Sequence, residues 1–324
     1  MDERTPQGAP ARNPGWPVTA ATAVAAWGWM AQVGLTVDPA SAVLPAGAAA
    51  LLVGLAAFYR HVRPDPGLAA LLDAIAQLVV FTAAGAALSY AAARSAGPLW
   101  DETLHAWDRA LGLDWRAYLA FVDERPLLGL AYTVAYRSIL PQTILVVLAL
   151  AVAGRIAGLR TFVLAFMIAG LACILISAAM PAMAMFVHLG LGPADFPNLD
   201  PAAAFVHADA MNGLRDGALA AISLSQAEGI ITFPSFHAAL GIVFAWGFWQ
   251  IPRLRWPGLA WNAVMIAATP IDGGHYFVDV FAGILVAAAA LVLADRLVRG
   301  AGRARAPAGG LGRAPATGHA SGQA

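Results

Sequence analysis

Long apolar runs separated by short polar segments make up most of the chain from residue 18 to residue 297. Several of these runs reach roughly 18–25 residues, the length that an α-helix needs to cross a bilayer. The pattern predicts an all-α, polytopic membrane helix bundle with about eight transmembrane helices. The predicted spans cover residues 18–37, 42–60, 68–93, 126–152, 160–188, 234–251, 256–272 and 275–297.

The two ends of the chain differ from this pattern. Residues 1–17 are polar and proline-rich, and residues 300–324 are a low-complexity stretch of glycine, alanine and arginine. Such compositions cannot bury enough apolar surface to offset the entropy of ordering the chain. We therefore expect a disordered tail at each end.

The composition supports a membrane protein and narrows its chemistry. The chain is 60% hydrophobic and 12% charged, against about 25% charged residues in a soluble domain. Its formal net charge is +0, which gives no indication of a nucleic-acid partner. All 19 basic residues are arginine, so lysine-dependent chemistry such as a Schiff base is excluded. Cys173 is the single cysteine, so no intramolecular disulfide can form.

The arginines predict the orientation in the membrane. With both termini cytoplasmic, thirteen arginines lie in segments on the inner side and five in segments on the outer side. This asymmetry follows the positive-inside rule. The same arrangement places the start of the sixth span, with His237, and the start of the eighth, with His275, at the outer face. Because the lysine-free composition is typical of a GC-rich bacterial genome, we expect this face to be the periplasmic side of the inner membrane.

Two longer segments lie on the predicted outer face. Residues 98–125 repeat apolar side chains at helical spacing, with Asp101 and Asp108 off the apolar stripe. The spacing predicts one or two amphipathic helices that lie in the interface with tryptophan anchors or pack over the bundle. Residues 190–233 form a polar loop that leads into the His237 segment, where it could cap a site.

The stretch Asp272–Gly283 carries the clearest candidate chemistry. His275 and Asp279 are four residues apart and so share one face of a helix. A carboxylate there can accept the imidazole N–H, fix its tautomer and leave the other nitrogen free to react. Ionisable groups in membrane spans are costly and are usually functional. The structural alternative is a hydrogen-bonded pair that ties the helix start in place.

A second stretch, Phe-Pro-Ser-Phe-His at residues 233–237, supplies another histidine. Ser235 is placed to cap a helix that starts here, and the free amides of a helix N-terminus can bind an anion. The structural alternative is a capped helix with an interfacial histidine.

The two stretches together suit phosphoryl transfer. One histidine can attack phosphorus while the other protonates the leaving alcohol, and the serine and amides can hold the phosphate oxygens. Two other interpretations remain open. The same residues could form the proton relay of a transporter, or a metal site of two histidines and one carboxylate.

The paired motifs, Pro-Ser-Phe-His at 234–237 and Gly-His-Tyr-Phe-Val-Asp-Val-Phe-Ala-Gly at 274–283, resemble those of the type-2 phosphatidic acid phosphatase superfamily. Within it, the chain is most similar to the aureobasidin-resistance inositolphosphotransferase branch, which includes sphingolipid-type phosphotransferases. The resemblance covers roughly residues 68–297. It implies a membrane domain at 68–299, with a six-helix core, behind two accessory helices within 18–67.

The resemblance also implies roles for individual residues. His275 would be the nucleophile that forms a phosphohistidine, His237 the general acid and base, and Asp279 the residue that orients His275. Ser235 would help to bind phosphate. The substrate would be a lipid phosphate or phospholipid, and the reaction would need neither metal nor cofactor.

The chain departs from the superfamily pattern in its positive charges. Leu119 stands where the first motif has lysine, and Thr269 stands where the third has arginine, which the sphingolipid-type branch also lacks. The phosphate charge must then be neutralised elsewhere. Arg137, within the fourth predicted span, and Arg215, in the outer loop, are the candidates. Their structural alternatives are an intramembrane pair with Asp73 or Asp279 for the former, and a solvated loop charge for the latter.

Overall fold

The chain folds as helices with one very small sheet, as seen in a computed structural model that describes residues 13–95, 97–201, 203 and 205–303. Two-residue strands β1 (Thr36–Val37) and β2 (Ala221–Ile222) pair in parallel, and Pro193–Asp195 forms one 3₁₀ turn. The helices are α1 (Gly15–Val33), α2 (Pro39–His61), α3 (Pro66–Ser95), α4 (Asp101–Ala110), α5 (Trp115–Asp123), α6 (Pro126–Tyr136), α7 (Ile139–Val152), α8 (Ile156–Ala179), α9 (Met185–His188), α10 (Val206–Arg215), α11 (Phe236–Trp249), α12 (Arg255–Asp272) and α13 (Phe277–Arg303).

Four of the described helices, α2, α3, α8 and α13, are long and apolar enough to cross a membrane. The pair α6 and α7 adds a fifth candidate span if it is counted as one bent unit, and α11 is a shorter apolar helix. Helices α1 and α12 also occupy the positions of predicted spans. The chain is thus an all-α membrane bundle, as the hydrophobic pattern predicts.

The predicted fourth span, 126–152, is broken rather than continuous. Helices α6 and α7 meet at an angle of 55° across Arg137 and Ser138. Pro141 explains the break, because proline lacks an N–H and its ring clashes with the carbonyl four residues earlier, which belongs to Arg137. Proline is well tolerated in the first turn of a helix, which is where Pro141 lies in α7.

The predicted fifth span, 160–188, has the wrong boundaries. Helix α8 begins at Ile156 and ends at Ala179, close before Pro181, which cannot continue a helix. The residues after it turn back over the bundle. The predicted tails, 1–17 and 300–324, lie largely outside the described residues, but their inner ends at 15–17 and 300–303 are helical rather than disordered.

Helix α8 lies at the centre of the bundle. Helices α3, α11 and α13 pack against it, α1 contacts both α3 and α8, and α2 packs against α3. Phe162, Leu164 and Met167 of α8 are buried in the resulting core. The packing leaves the ends of α11, α12 and α13 close together, where the two histidine motifs begin.

Candidate active site

The two motifs predicted from the sequence meet through their main chains. The N–H of Ser235 donates a hydrogen bond of 3.0 Å to the carbonyl of Asp279. A Cβ atom added to Gly283 would lie only 2.2 Å from the Ser235 carbonyl oxygen. The missing side chain at Gly283 therefore lets the start of α11 lie directly against the first turns of α13.

His275 and Asp279 are in contact as predicted, but not on one face of a helix, because His275 lies in the non-helical segment before α13. The Nδ1 atom of His275 lies 3.3 Å from Oδ2 of Asp279, and both side chains are buried. The same Oδ2 accepts the main-chain N–H of Tyr276 at 2.9 Å. The carboxylate thus holds the Nδ1 side of the imidazole, and the ring also has a main-chain hydrogen bond with Thr232.

His237 is held in a different way, by an aromatic ring. The rings of Tyr136 and His237 stack with centroids 3.8 Å apart and 6° between their planes. Tyr136 ends α6, directly before the break at Arg137. Sequence reasoning missed Tyr136, although it lies beside a residue that was singled out, because a stacking partner 101 positions away leaves no local signal.

Both histidines line one cavity of about 280 Å³. Its inner part lies between α3 and α8 and is mainly apolar. The apolar lining there includes Phe81, Gly85, Phe166, Gly170 and Ile174. The cavity therefore has an apolar inner part within the bundle and a polar end at the two histidines.

Helix α4 packs over the His275 segment and supports it through two acids that lie off its apolar stripe. Asp108 is fully buried, and its two oxygens accept the N–H groups of Phe277 and Val278, each at 2.9 Å. It thereby caps α13, which begins 169 residues later. Burial raises the pKa of Asp108, while its hydrogen bonds from these two N–H groups act in the opposite direction.

Asp101 and Trp115 also hold this segment. The carboxylate of Asp101 accepts the Tyr276 hydroxyl at 2.8 Å and the N–H of Met183 at 3.0 Å. The indole N–H of Trp115 donates to the carbonyl of His275 at 3.1 Å. Trp115 is only 2% exposed, so it is a buried support and not the membrane anchor that the amphipathic pattern indicated.

The outer loop, residues 190–233, covers the cavity. The N–H of Ala203 donates to the carbonyl of Asp272 at 2.7 Å, which ties the loop to the end of α12. Ala203, His207 and residues 227–232 contribute to the cavity lining. The expectation that this loop caps the site is therefore met.

The three residues expected to bind phosphate lie outside the cavity lining. The Ser235 hydroxyl accepts the N–H of Ala238 at 3.3 Å and so caps α11. Arg137 is exposed at the break between α6 and α7, where it pairs with neither suggested acid, since Asp73 contacts Arg60. Arg215 ends α10 and donates to the carbonyl of Gly97 at 2.9 Å.

The metal interpretation has little geometric support. Within the described part of the chain, no group of three or more His, Cys, Asp or Glu side chains is placed to hold a metal ion. His105 and His188 do approach each other at 3.0 Å between Nδ1 and Nε2, but they belong to the outer helices and not to the cavity lining.

The fold is that of a helical membrane protein in which His237 and His275 line a single cavity and Asp279 contacts His275. The family model of the PAP2 superfamily matches residues 102–293, more than half of the chain, and this protein belongs to the PAP2 superfamily. It is thus a membrane phosphatase in the general sense of that family. No curated protein sequence and no solved structure shows significant similarity to the chain.

Proposed function

We propose that the protein transfers or hydrolyses the phosphoryl group of a lipid phosphate, or the phospho-headgroup of a phospholipid, through a phosphohistidine on His275. Nε2 of His275 attacks phosphorus, so a P–N bond forms while the bond from phosphorus to the leaving alcohol breaks. His237 gives its proton to that alcohol and later takes one from the acceptor. Asp279 holds His275 in the reactive tautomer. The observation that carries this proposal is the placement of both histidines on one cavity, with Nδ1 of His275 on Asp279.

The shape of the cavity supports a lipid as the substrate. Phe81, Phe166 and Ile174 make its inner part suitable for acyl chains, while the phosphate would lie at the histidine end. The phosphoryl acceptor is water in a phosphatase and an alcohol in a transferase. The likeness to the inositolphosphotransferase branch supports an alcohol acceptor for this chain.

The membrane arrangement belongs to the same proposal. Eight spans with both termini in the cytoplasm would put the cavity on the periplasmic face of a bacterial inner membrane. The support comes from the arginine distribution and from the common end of the bundle at which both histidines lie. We further propose that the reaction needs no metal, since histidine supplies both the nucleophile and the acid.

The proposal is tested with purified protein and a panel of lipid phosphates in excess EDTA. Phosphate release by the parent protein, lost in His275→Ala and retained in His188→Ala, would support it. If no lipid is hydrolysed, the panel is repeated with inositol and lipid alcohols, and transfer is followed by mass spectrometry. Release or transfer that survives His275→Ala, or that requires added metal, would contradict the proposed chemistry.

Phosphate binding by Ser235 stays a prediction of the resemblance, and phosphate binding by Arg137 or Arg215 stays a hypothesis based on the positive charges that the chain lacks. Alanine variants of the three residues would be compared at limiting substrate, where kcat/KM reports transition-state stabilisation. A loss of at least about tenfold in one of them would support a phosphate contact that forms only with substrate bound. Normal turnover in all three would remove these residues from the site.

A further inference from the structure

His207 is a third histidine on the cavity, and the mechanism above does not use it. It lies in the first turn of α10, within the loop that covers the site. His207 is 4% exposed, and it lines the same cavity as His237 and His275. A buried, titratable side chain at the polar end of a reaction cavity requires a physical explanation.

Both ring nitrogens of His207 face main-chain carbonyl oxygens. Nδ1 lies 2.9 Å from the carbonyl of Ala203, and Nε2 forms a hydrogen bond with the carbonyl of Met183. A carbonyl oxygen only accepts hydrogen bonds, and a neutral imidazole has only one N–H to donate. The two contacts are therefore both satisfied only when the ring carries two protons and a positive charge.

The two carbonyl groups are held in place by other contacts. The Met183 carbonyl also accepts the Thr232 hydroxyl at 2.9 Å, and the Met183 N–H is bound by Asp101. The Ala203 N–H is bound to the carbonyl of Asp272. Because these peptide groups are fixed on both sides, they cannot easily turn away from a neutral ring.

The cavity has no other permanent cation among its described lining residues. The lining contains no arginine, and the sequence contains no lysine. A phosphate ester that enters such a cavity brings negative charge into a poorly solvated place, which is costly without a compensating charge. The titratable groups around His207 are Glu228 at the rim, His237 and His275 on the cavity, Asp101 behind Met183, Asp272 behind Ala203, and Asp209 on its own helix.

We propose that His207 is a fixed imidazolium whose charge, acting across the cavity, stabilises the substrate phosphate in place of the missing arginine. Because both of its nitrogens are already bonded, it acts through its field and through the loop that it fixes, and it is a positioning residue rather than a catalytic one. This inference rests on the proposed function, since it takes a phosphate as the ligand.

The protonation of His207 can be measured without any turnover. The full-length protein is labelled with ¹⁵N-histidine, and the ring signals are assigned with single His→Gln substitutions at the other histidines. We expect two protonated ring nitrogens for His207 at neutral pH. A signal from an unprotonated nitrogen would overturn the proposal, and this holds even if a variant at 207 fails to fold.

A binding experiment then tests the role of the charge. Vanadate affinity is measured for the parent, His207→Gln and His207→Lys, with His188→Gln as a control outside the cavity. We expect at least about tenfold weaker binding in His207→Gln at neutral pH, near-parental binding in His207→Lys, and no change in the control.

Equal losses in the Gln and Lys variants would mean that His207 only holds the loop. The outcome is separable from that of the proposed function. Absence of any turnover in the parent would contradict the enzyme, whereas the ring protonation reports on His207 whether or not the protein turns over a substrate.

Discussion

Tyr136 lies face to face with His237, 3.8 Å away between ring centroids and nearly parallel to it. The tyrosine comes from the broken helix pair α6 and α7, and the histidine from the first turn of α11. Tyr136 is the last residue before the break that Pro141 causes, and His237 is the proposed general acid and base. The bend in the fourth span therefore places Tyr136 against a proposed catalytic residue.

This stack predicts a measurable effect on the rate. In Tyr136→Ala the His237 ring loses its support, and an aromatic pair of this kind contributes about 0.5–1.5 kcal/mol. We expect kcat to fall by about two- to tenfold, with a smaller change in KM. Tyr136→Phe keeps the ring and is the matched control. Equal rates in the Ala and Phe variants would show that the stack does not position His237.

The cap that Asp108 places on α13 predicts a loss of stability. In Asp108→Ala the buried N–H groups of Phe277 and Val278 lose their acceptor, at a cost of about 1–3 kcal/mol. We expect a lower unfolding midpoint in detergent together with reduced activity, because His275 directly precedes α13. Asp114→Ala removes an exposed cap from α5 and is the control. It should cost less stability and leave turnover near normal.

The close contact at Gly283 predicts that adding one methyl group there would push the two histidine motifs apart. Its Cβ would lie 2.2 Å from the Ser235 carbonyl, a main-chain atom that cannot turn aside. We expect Gly283→Ala to lose most activity even where the protein still inserts and folds. Gly54→Ala, in a helix with no atom within 4 Å of the new Cβ, should be neutral or slightly stabilising. Full activity in Gly283→Ala would show that the motifs need not touch.

The outer pair His105 and His188 predicts a dependence of stability on pH. Burial, followed by the positive charge of Arg109, lowers the pKa of His105 below its usual value of 6.5. Below about that pH the unfolded chain binds a proton that the folded chain does not, so stability falls as the pH drops. His105→Gln should flatten the change in unfolding midpoint between acidic and neutral pH, and exposed His61→Gln should not. An unchanged slope in His105→Gln would contradict this assignment.

The sequence predicts those parts of the candidate site whose residues lie close together in the chain. His275 and Asp279 meet as predicted, although His275 lies two residues before α13 and does not share a helical face with Asp279, and the paired motifs indicate the superfamily that the family match confirms. The cause of the break in the fourth span, Pro141, is also visible in the sequence. The hydrophobic pattern does not reveal the break because the residues on both sides of the proline are apolar.

The supporting residues could not be predicted in the same way. Asp108 and Asp101 lie off the apolar stripe of α4, which normally means a solvent-exposed face. Here that face is covered by the start of α13, more than 160 residues later in the chain. Only the packing of the whole bundle shows that these acids are buried and that Trp115 points inward.

The central claim is that His275 carries the phosphoryl group during turnover. The most direct test is to mix the protein with a ³²P-labelled lipid phosphate, quench it in alkali within the first turnover and map the label by mass spectrometry. Alkali preserves a phosphohistidine and cleaves the ester linkages of phosphoserine and phosphothreonine. We predict label on His275 in the parent protein and no labelled protein in His275→Gln. Label on another residue, or turnover without any labelled protein in the first turnover, would contradict the account.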